Sequence, residues 1–265
     1  ISRGCEKGAD HLEEFRAPGL ELEKVGSACD GHGLPAASVG QVAQERLGML
    51  AGRDPVQMLE ALDVPYVGAG VAASAVCLDK LLFKEVAAQA GIPQVEYVAI
   101  TAAEWHGDVT RRAQLVDAAA ALGYPSFVKP ARLGSSVGIS RVGERDGLES
   151  AIELALGYDP RVIVEAGSPG DEIECAVLGG FDPQASVLGE IRYASEFYDY
   201  EAKYAAESTQ LLIPADVTPA QNDEMRMLAL RAFRALKCWG MARVDFFLER
   251  KTGLLQLLDA SSHAQ

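Results

Sequence analysis

Alternation of apolar and polar positions is the clearest pattern in the second half of the chain. EIECAVLG, VLGEIRY and ARVDFFL each read as strands of period two, and RVIVE reads as a further strand. ARVDFFL runs through the turn RKTG into GLLQLLDAS, which predicts two strands joined at that turn. Before it, TPAQNDEMRMLALRAFRALKCWG predicts a helix of about 18 residues, with Thr218 as N-cap, Pro219 at the first helical position, Gln221 completing a capping box and Gly240 past the end. Upstream, PVQMLEALDVPYVG predicts a short helix and then a brief strand ending at Gly68. Residues 74–90, SAVCLDKLLFKEVAAQA, predict one helix closed by Gly91 and followed by Pro93. That helix carries Lys80 and Lys84 four apart, on one face.

VEYVAI follows as a strand, RAQLVDAAAALG as a helix ended by Gly123, and residues 147–156 as a short helix. PSFVKP and GISRV predict a hairpin around a glycine-serine loop. The sum is an antiparallel or mixed sheet with helices on one side. Residues 1 to about 55 have weak periodicity and predict no definite element.

Composition narrows the function. A hydrophobic share of 49% over 265 residues is enough for real cores. With 38 acidic against 24 basic residues, a net charge of -14 argues against a coat for nucleic acid or an anionic membrane, yet leaves room for a phosphorylated ligand in a locally basic pocket. Five cysteines without a close pair signal neither a disulfide framework nor a thiolate metal site, and the four histidines lack metal-site spacing. No basic leader opens the sequence and no apolar run reaches about 18 residues, so the expectation is a cytoplasmic protein.

Four stretches hold candidate chemistry. In FVKPARLGSSVGIS, Lys129 shares a strand face with Phe127, and Pro130 ends the ladder for want of an amide hydrogen. Gly134 and Gly138 let the backbone, with the hydroxyls of Ser135 and Ser136, approach phosphate oxygens. By itself the stretch reads equally as a mobile surface hairpin. In the hairpin ARVDFFL…LLDAS, a register that sets Asp245 opposite Asp259 brings their β-carbons to ~5 Å, a repulsive pairing unless a hard cation such as Mg²⁺ lies between them. The alternative is that Asp245 pairs only with Arg243 and Asp259 caps a strand end. FYDYEAKY is either a surface loop or a lid that expels water from a reacting site. Glu165 and Glu172 are either solvated or placed for ribose hydroxyls.

The order of these stretches from about residue 56 to about 260 resembles the D-alanine–D-alanine ligase family of the ATP-grasp fold, with FYDYEAKY and VKPARxGSSVGIS the most specific motifs. The resemblance implies an α/β and α+β architecture: a shortened Rossmann-like N-terminal domain over residues 1–72, a central lid subdomain over 73–165, and a C-terminal catalytic subdomain over 166–265 that is truncated at its end. It implies ATP and Mg²⁺ or Mn²⁺ as cofactors and two molecules of D-alanine as substrates, joined through a D-alanyl phosphate for peptidoglycan precursors. A homodimer is implied as well. Lys84 and Lys129 match the lysines that hold the nucleotide phosphates, Ser135 and Ser136 the loop covering them, Glu165 the hinge that meets adenine, and Glu172 the ribose carboxylate. Lys203 and Tyr204 match the closing lid, Arg243 the donor to the tetrahedral intermediate, and Asp245, Asp259 and Ser261 the magnesium ligands. Depsipeptide-forming relatives carry a histidine in the lid, so Tyr204 favours amide formation.

The sequence also departs from the family pattern. Asp259 and Ser261 stand where the family has Glu and Asn, and Arg53 stands where a glutamate near the first substrate is expected. Two other readings therefore accompany the ligase: a catalytically impaired nucleotide-binding homologue, and a ligase with another second substrate such as D-lactate.

Overall fold

A computed structural model describes residues 55–61, 64–134, 136–193 and 209–261. From Val56 onward the described residues belong to one compact unit. Arg53 and the segment before it lie outside the described residues.

The chain enters through α1 (Pro55–Ala61), then α2 (Val71–Leu78) and α3 (Lys80–Gln89). The strand expected to end at Gly68 is absent: residues 64–70 form a bend and irregular backbone. The single helix expected over 74–90 is two. Asp79 takes an extended conformation (φ -91°, ψ 100°), ends α2, and caps α3 by accepting a hydrogen bond from Leu82 N. A short acidic side chain that satisfies a free helical amide competes with continuation of the helix. Gly91 closes α3 at φ 64°, the left-handed position that glycine takes without strain.

Next come β1 (Tyr97–Thr101), α4 (Ala102–Gly107), α5 (Val109–Ala121), β2 (Ser126–Pro130), β3 (Ser140–Val142), α6 (Leu148–Leu156) and β4 (Arg161–Ala166). The four strands form an antiparallel sheet in the order β1-β4-β2-β3. One face packs on α5 and α6 through Val128, Val162, Val164, Leu115, Ala119, Leu148 and Ile152. Alternation turns the other positions of β4, Ile163 and Glu165, to the opposite face, where Ile163 meets Leu81 of α3.

The second sheet contains β5 (Asp171–Gly179), β6 (Gln184–Tyr193), β7 (Thr209–Leu212), β8 (Gly240–Glu249) and β9 (Leu254–Ser261), in the order β7-β6-β5-β8-β9. Its core-facing positions, among them Ile173, Cys175, Val177, Val244, Phe246 and Leu257, pack against α2, α3 and α7 (Pro219–Ala235). The capping box of Thr218 and Gln221 forms as the sequence predicts, and α7 runs 17 residues.

The antiparallel strands with helices on one face are as the sequence predicts, but they make two sheets with two cores rather than one. The short connection between β4 and β5 carries the chain from one sheet to the other. Pro93 O accepts from Leu257 N at 2.7 Å and Gln94 forms a parallel bridge to Leu257, so the segment after α3 is stitched to β9. Among the described residues no helix is long and apolar enough to cross a membrane.

Candidate functional site

Two groups of ionisable side chains sit on the sheet faces turned away from their cores. The first gathers on Glu165 of β4. Lys84 projects from α3, almost wholly buried at 1% exposure, and its Nζ lies 2.7 Å from Glu165 Oε1. Lys129 lies on β2, which pairs with β4 so that Phe127 stands opposite Glu165. Period two keeps Lys129 on that same face, and its Nζ reaches Glu165 Oε2 at 2.5 Å. Burial by itself would raise the Glu165 pKa, but the two ammonium groups outweigh it and hold the carboxyl down at about 2. The Lys84 ammonium, close as it is to Glu165, has no aligned hydrogen-bond partner. A buried ammonium with donors to spare, beside a second lysine, is suited to an anion such as a phosphate.

The loop after β2 begins beside this group. Ser136 and Gly138 both take left-handed backbone, at φ 60° and 71°. A β-carbon at Gly138 would come within 2.8 Å of Pro130 and Tyr158, so glycine is required for the loop to fold back on the strand it leaves. Ser135 lies outside the described residues, as do Lys203, Tyr204 and the rest of FYDYEAKY.

The second group lines the open face of the five-stranded sheet. Strand β5 offers Glu172 and Glu174, β8 offers Arg243 and Asp245, and β9 offers Asp259 and Ser261. Register sets Glu174 opposite Asp245 on one side of β8 and Asp259 opposite Asp245 on the other, the second of these being one of the two arrangements the sequence left open. A bulge follows at Leu258, between the pairs Asp245 with Asp259 and Phe246 with Leu257. It lets Asp259 and Ser261 share the open face while Leu257 and Ala260 stay in the core.

The structure has both the register of the first reading, Asp245 opposite Asp259, and the pairing of Asp245 with Arg243 from the second. Arg243 grips it with two hydrogen bonds of 2.8 Å, and Arg243 Nε also lies 3.0 Å from Glu174. Burial, together with the carboxylates of Asp259 and Glu174, pushes Asp245 up to about 7 in spite of that guanidinium. The Arg243 pKa is raised in turn, chiefly by its hydrogen bond to Asp245. Asp259 also accepts from the Ala260 amide at 2.8 Å.

Carboxylate oxygens of Glu172, Glu174 and Asp245 lie within 4.8 Å of one another. Hard oxygen donors so crowded fit a hard divalent cation such as Mg²⁺ or Mn²⁺. Glu174 was not singled out in the sequence. The signal was available, since it lies two positions from Glu172 on a period-two strand and so shares its face. Ser261 stands opposite Arg243 on β9, and Ser136 lies in the loop after β2.

Comparison with known proteins gives the chain a family. The family pattern described as "D-ala D-ala ligase C-terminus" matches residues 86–260. A D-alanine–D-alanine ligase of Bacillus velezensis is 49% identical over 191 residues, 72% of this chain and 53% of the relative. One of Solibacter usitatus is 47% identical over 200 residues, 76% of this chain and 59% of the relative. Among solved structures, the VanG D-Ala:D-Ser ligase of Enterococcus faecalis superposes with a TM-score of 0.67 at 32% identity, covering 78% of this chain and 58% of that one. The D-alanine–D-alanine ligase of Coxiella burnetii does so with a TM-score of 0.63 at 33% identity, covering 78% and 53%. The chain thus spans a little over half the length of the curated relatives it matches.

Proposed function

The chain belongs to the D-alanine–D-alanine ligase family and has its ATP-grasp fold, and from that premise we propose that it joins two D-alanine molecules at the expense of ATP. The observation that carries the proposal is the pairing of a lysine cluster around Glu165 with a carboxylate-rich strand face, the charge arrangement that a metal-bound triphosphate needs.

In this reading Lys84 and Lys129 hold the phosphates. Lys84 has ammonium hydrogens not yet committed, and Lys129 exchanges part of its pairing with Glu165 for phosphate oxygen. Glu165 keeps both lysines charged and aimed, which is a different task from meeting adenine. Ser135 and Ser136 cover the phosphates, and Glu172 takes the ribose hydroxyls. Glu174 and Asp245 hold the divalent cation with Asp259 and Ser261 beside them, and this cation supplies charge neutralisation where phosphoryl oxygens gain negative charge.

The carboxylate of the first D-alanine attacks the γ-phosphorus, ADP leaves, and a D-alanyl phosphate results. The amine of the second D-alanine then attacks the acyl carbon, loses a proton and expels phosphate. Arg243, 39% exposed, presents the free edge of its guanidinium to the oxyanion of that step while Asp245 fixes its orientation. Lys203 and Tyr204 close over the acyl phosphate and keep water from it.

The test is ADP release dependent on D-alanine, with D-alanyl-D-alanine identified by mass. ADP release with dipeptide supports the proposal; no release at any Mg²⁺ or Mn²⁺ concentration overturns it. Two other readings have specific motivations. Likeness to a D-Ala:D-Ser ligase favours another second substrate, which a panel of D-amino acids and D-lactate resolves. Asp259 and Ser261 in place of longer or amide-bearing ligands favour a nucleotide-binding homologue without turnover, which binds ATP in calorimetry and releases no ADP. The homodimer is a further proposal, tested by light scattering.

A further inference from the structure

We propose that Cys77 and Cys238 are a modification site, a thiol pair that hydrogen peroxide converts to a disulfide cross-linking α2 to the loop between α7 and β8. The inference does not depend on the ligase reading. The cysteines are spread along the sequence with no close pair, yet folding brings these two together. Both belong to the core of the five-stranded sheet, and the thiol of Cys77 hydrogen-bonds to the sulfur of Cys238.

Ordered backbone presents each sulfur. Cys77 occupies the last turn of α2, four residues after Ala73, and the two share the buried face of that helix. Cys238 follows α7. Lys237 takes left-handed backbone at φ 58°, and Cys238 N donates to Phe233 O at 2.9 Å, which closes the helix and fixes where Cys238 lies. The next residue, Trp239, sets its ring against Gly180, where a β-carbon would come within 2.6 Å of the indole. The segments around the two cysteines also meet: Gly68 O lies 2.9 Å from where a β-carbon on Gly240 would sit. Gly68 stands just ahead of α2 and Gly240 opens β8, so backbone contact and thiol contact join the same two parts of the chain.

Exposure separates this pair from the third described cysteine. Cys175, on β5, is 0% exposed, and burial raises its pKa. Cys77 and Cys238 retain 8% and 6%, which lets a small oxidant reach sulfur at the rim of the core. The hydrogen bond from Cys77 favours the thiolate of Cys238 and lowers its pKa against the opposing effect of burial, so Cys238 is the nucleophile. Its thiolate attacks one peroxide oxygen and the O–O bond breaks. The departing hydroxide takes up the proton that Cys238 gave up, leaving one water and a sulfenic acid on Cys238. Cys77 sulfur then attacks Cys238 sulfur, the S–O bond breaks, and the Cys77 proton leaves with the hydroxyl group as a second water. Two thiols have lost two electrons and two protons, and one peroxide has become two waters. The new bond closes a loop that runs through both sheets, so it restricts the unfolded chain far more than a folded chain in which the sulfurs already touch.

The test oxidises the full chain with hydrogen peroxide, blocks remaining thiols with iodoacetamide under denaturing conditions, and maps peptides by mass spectrometry. The expected result is a Cys77–Cys238 peptide pair, two hydrogens lighter than its parts and split by dithiothreitol, with Cys175 alkylated. The thermal midpoint should rise by about 5 °C on oxidation and fall back with dithiothreitol, because closing a long loop opposes unfolding. Cys77→Ser should abolish both the cross-link and the rise, and Cys238 should then run on to the sulfinic acid for want of a resolving thiol. Links from either cysteine to Cys5, Cys29 or Cys175 instead, or no link at all after oxidation, overturn the pairing. A Cys77–Cys238 link with an unchanged or lower midpoint overturns the claim that the folded backbone accepts the bond. If Cys77→Ser does not fold, Cys77→Ala takes its place with the same readouts. None of these readouts is turnover, so failure here is separate from failure of the ligase reading.

Discussion

Glu165 and Asp245 are both buried carboxylates, one in each sheet of a single compact unit, and their surroundings drive them in opposite directions. Two ammonium groups hold Glu165 at about 2, while burial and two neighbouring carboxylates lift Asp245 to about 7 against a bidentate arginine. The first region has two lysines to one acid and is balanced in favour of an anion. The second has four carboxylates to one arginine and is balanced in favour of a cation. A fold seldom maintains both imbalances for its own stability, because buried like charges cost free energy that apolar side chains would not. The difference between the regions fits a ligand that carries both signs, a polyphosphate with its divalent ion.

The strongest way to break the contrast is Lys84→Met. It leaves Glu165 buried with one partner, so stability should fall by roughly 3–5 kcal/mol, the cost of breaking a buried pair. Adding Glu165→Gln should recover part of this loss in denaturant melts, while nucleotide affinity stays lost. If the single substitution leaves the melting midpoint unchanged, the ion pair carries no stability.

Acid titration probes the same pair. The folded pKa of Glu165 lies below its unfolded value, so its contribution is present above about pH 4.5 and is lost as pH falls through about 2. That contribution is roughly 3 kcal/mol, taking 1.36 kcal/mol per unit. The acid limb of a stability–pH curve should therefore flatten in Glu165→Gln; an unaltered limb contradicts the assignment.

On the acidic side, Asp245→Asn should cost at least about tenfold in Mn²⁺ affinity, ~1.4 kcal/mol, measured by manganese paramagnetic resonance. The Glu165 region should be untouched by it, and a loss of folding there would show that the two regions are not separable. The smallest effect belongs to the loop: Gly138→Ala, placed at φ 71° and against Pro130, should cost ~1 kcal/mol in thermal melts. It should also weaken nucleotide binding without changing Mn²⁺ affinity.

Much of this was legible in the chain. The two strands around the RKTG turn followed from period two, and the long helix from its capping box, because both signals are local. The bulge at Leu258 that sets Asp259 opposite Asp245 left no such signal, since unbroken pairing from that turn would place Leu258 there. What escaped depended on competition between local and distant contacts. The break at Asp79 is invisible to apolar periodicity, since Cys77, Leu81 and Phe83 remain buried on either side of it. Helix α4 was missed although Thr101 and Glu104 form a capping box, because it is only 6 residues long and its one large core residue is Trp105. Strand β7 lies at the sheet edge, where few core positions mark it. Two sheets were read as one, since alternation reports a buried face and not which core it joins. Within the site, Glu165 revealed its partners only when β2, β4 and α3 were assembled.

The account stands most directly on thermodynamic coupling between the two regions. Calorimetric titration of a non-hydrolysable ATP analogue, with and without Mn²⁺, should show at least tenfold tighter binding with the metal, and Asp245→Asn should erase that gain. Nucleotide affinity that is the same with and without Mn²⁺, or no binding in either case, would contradict it.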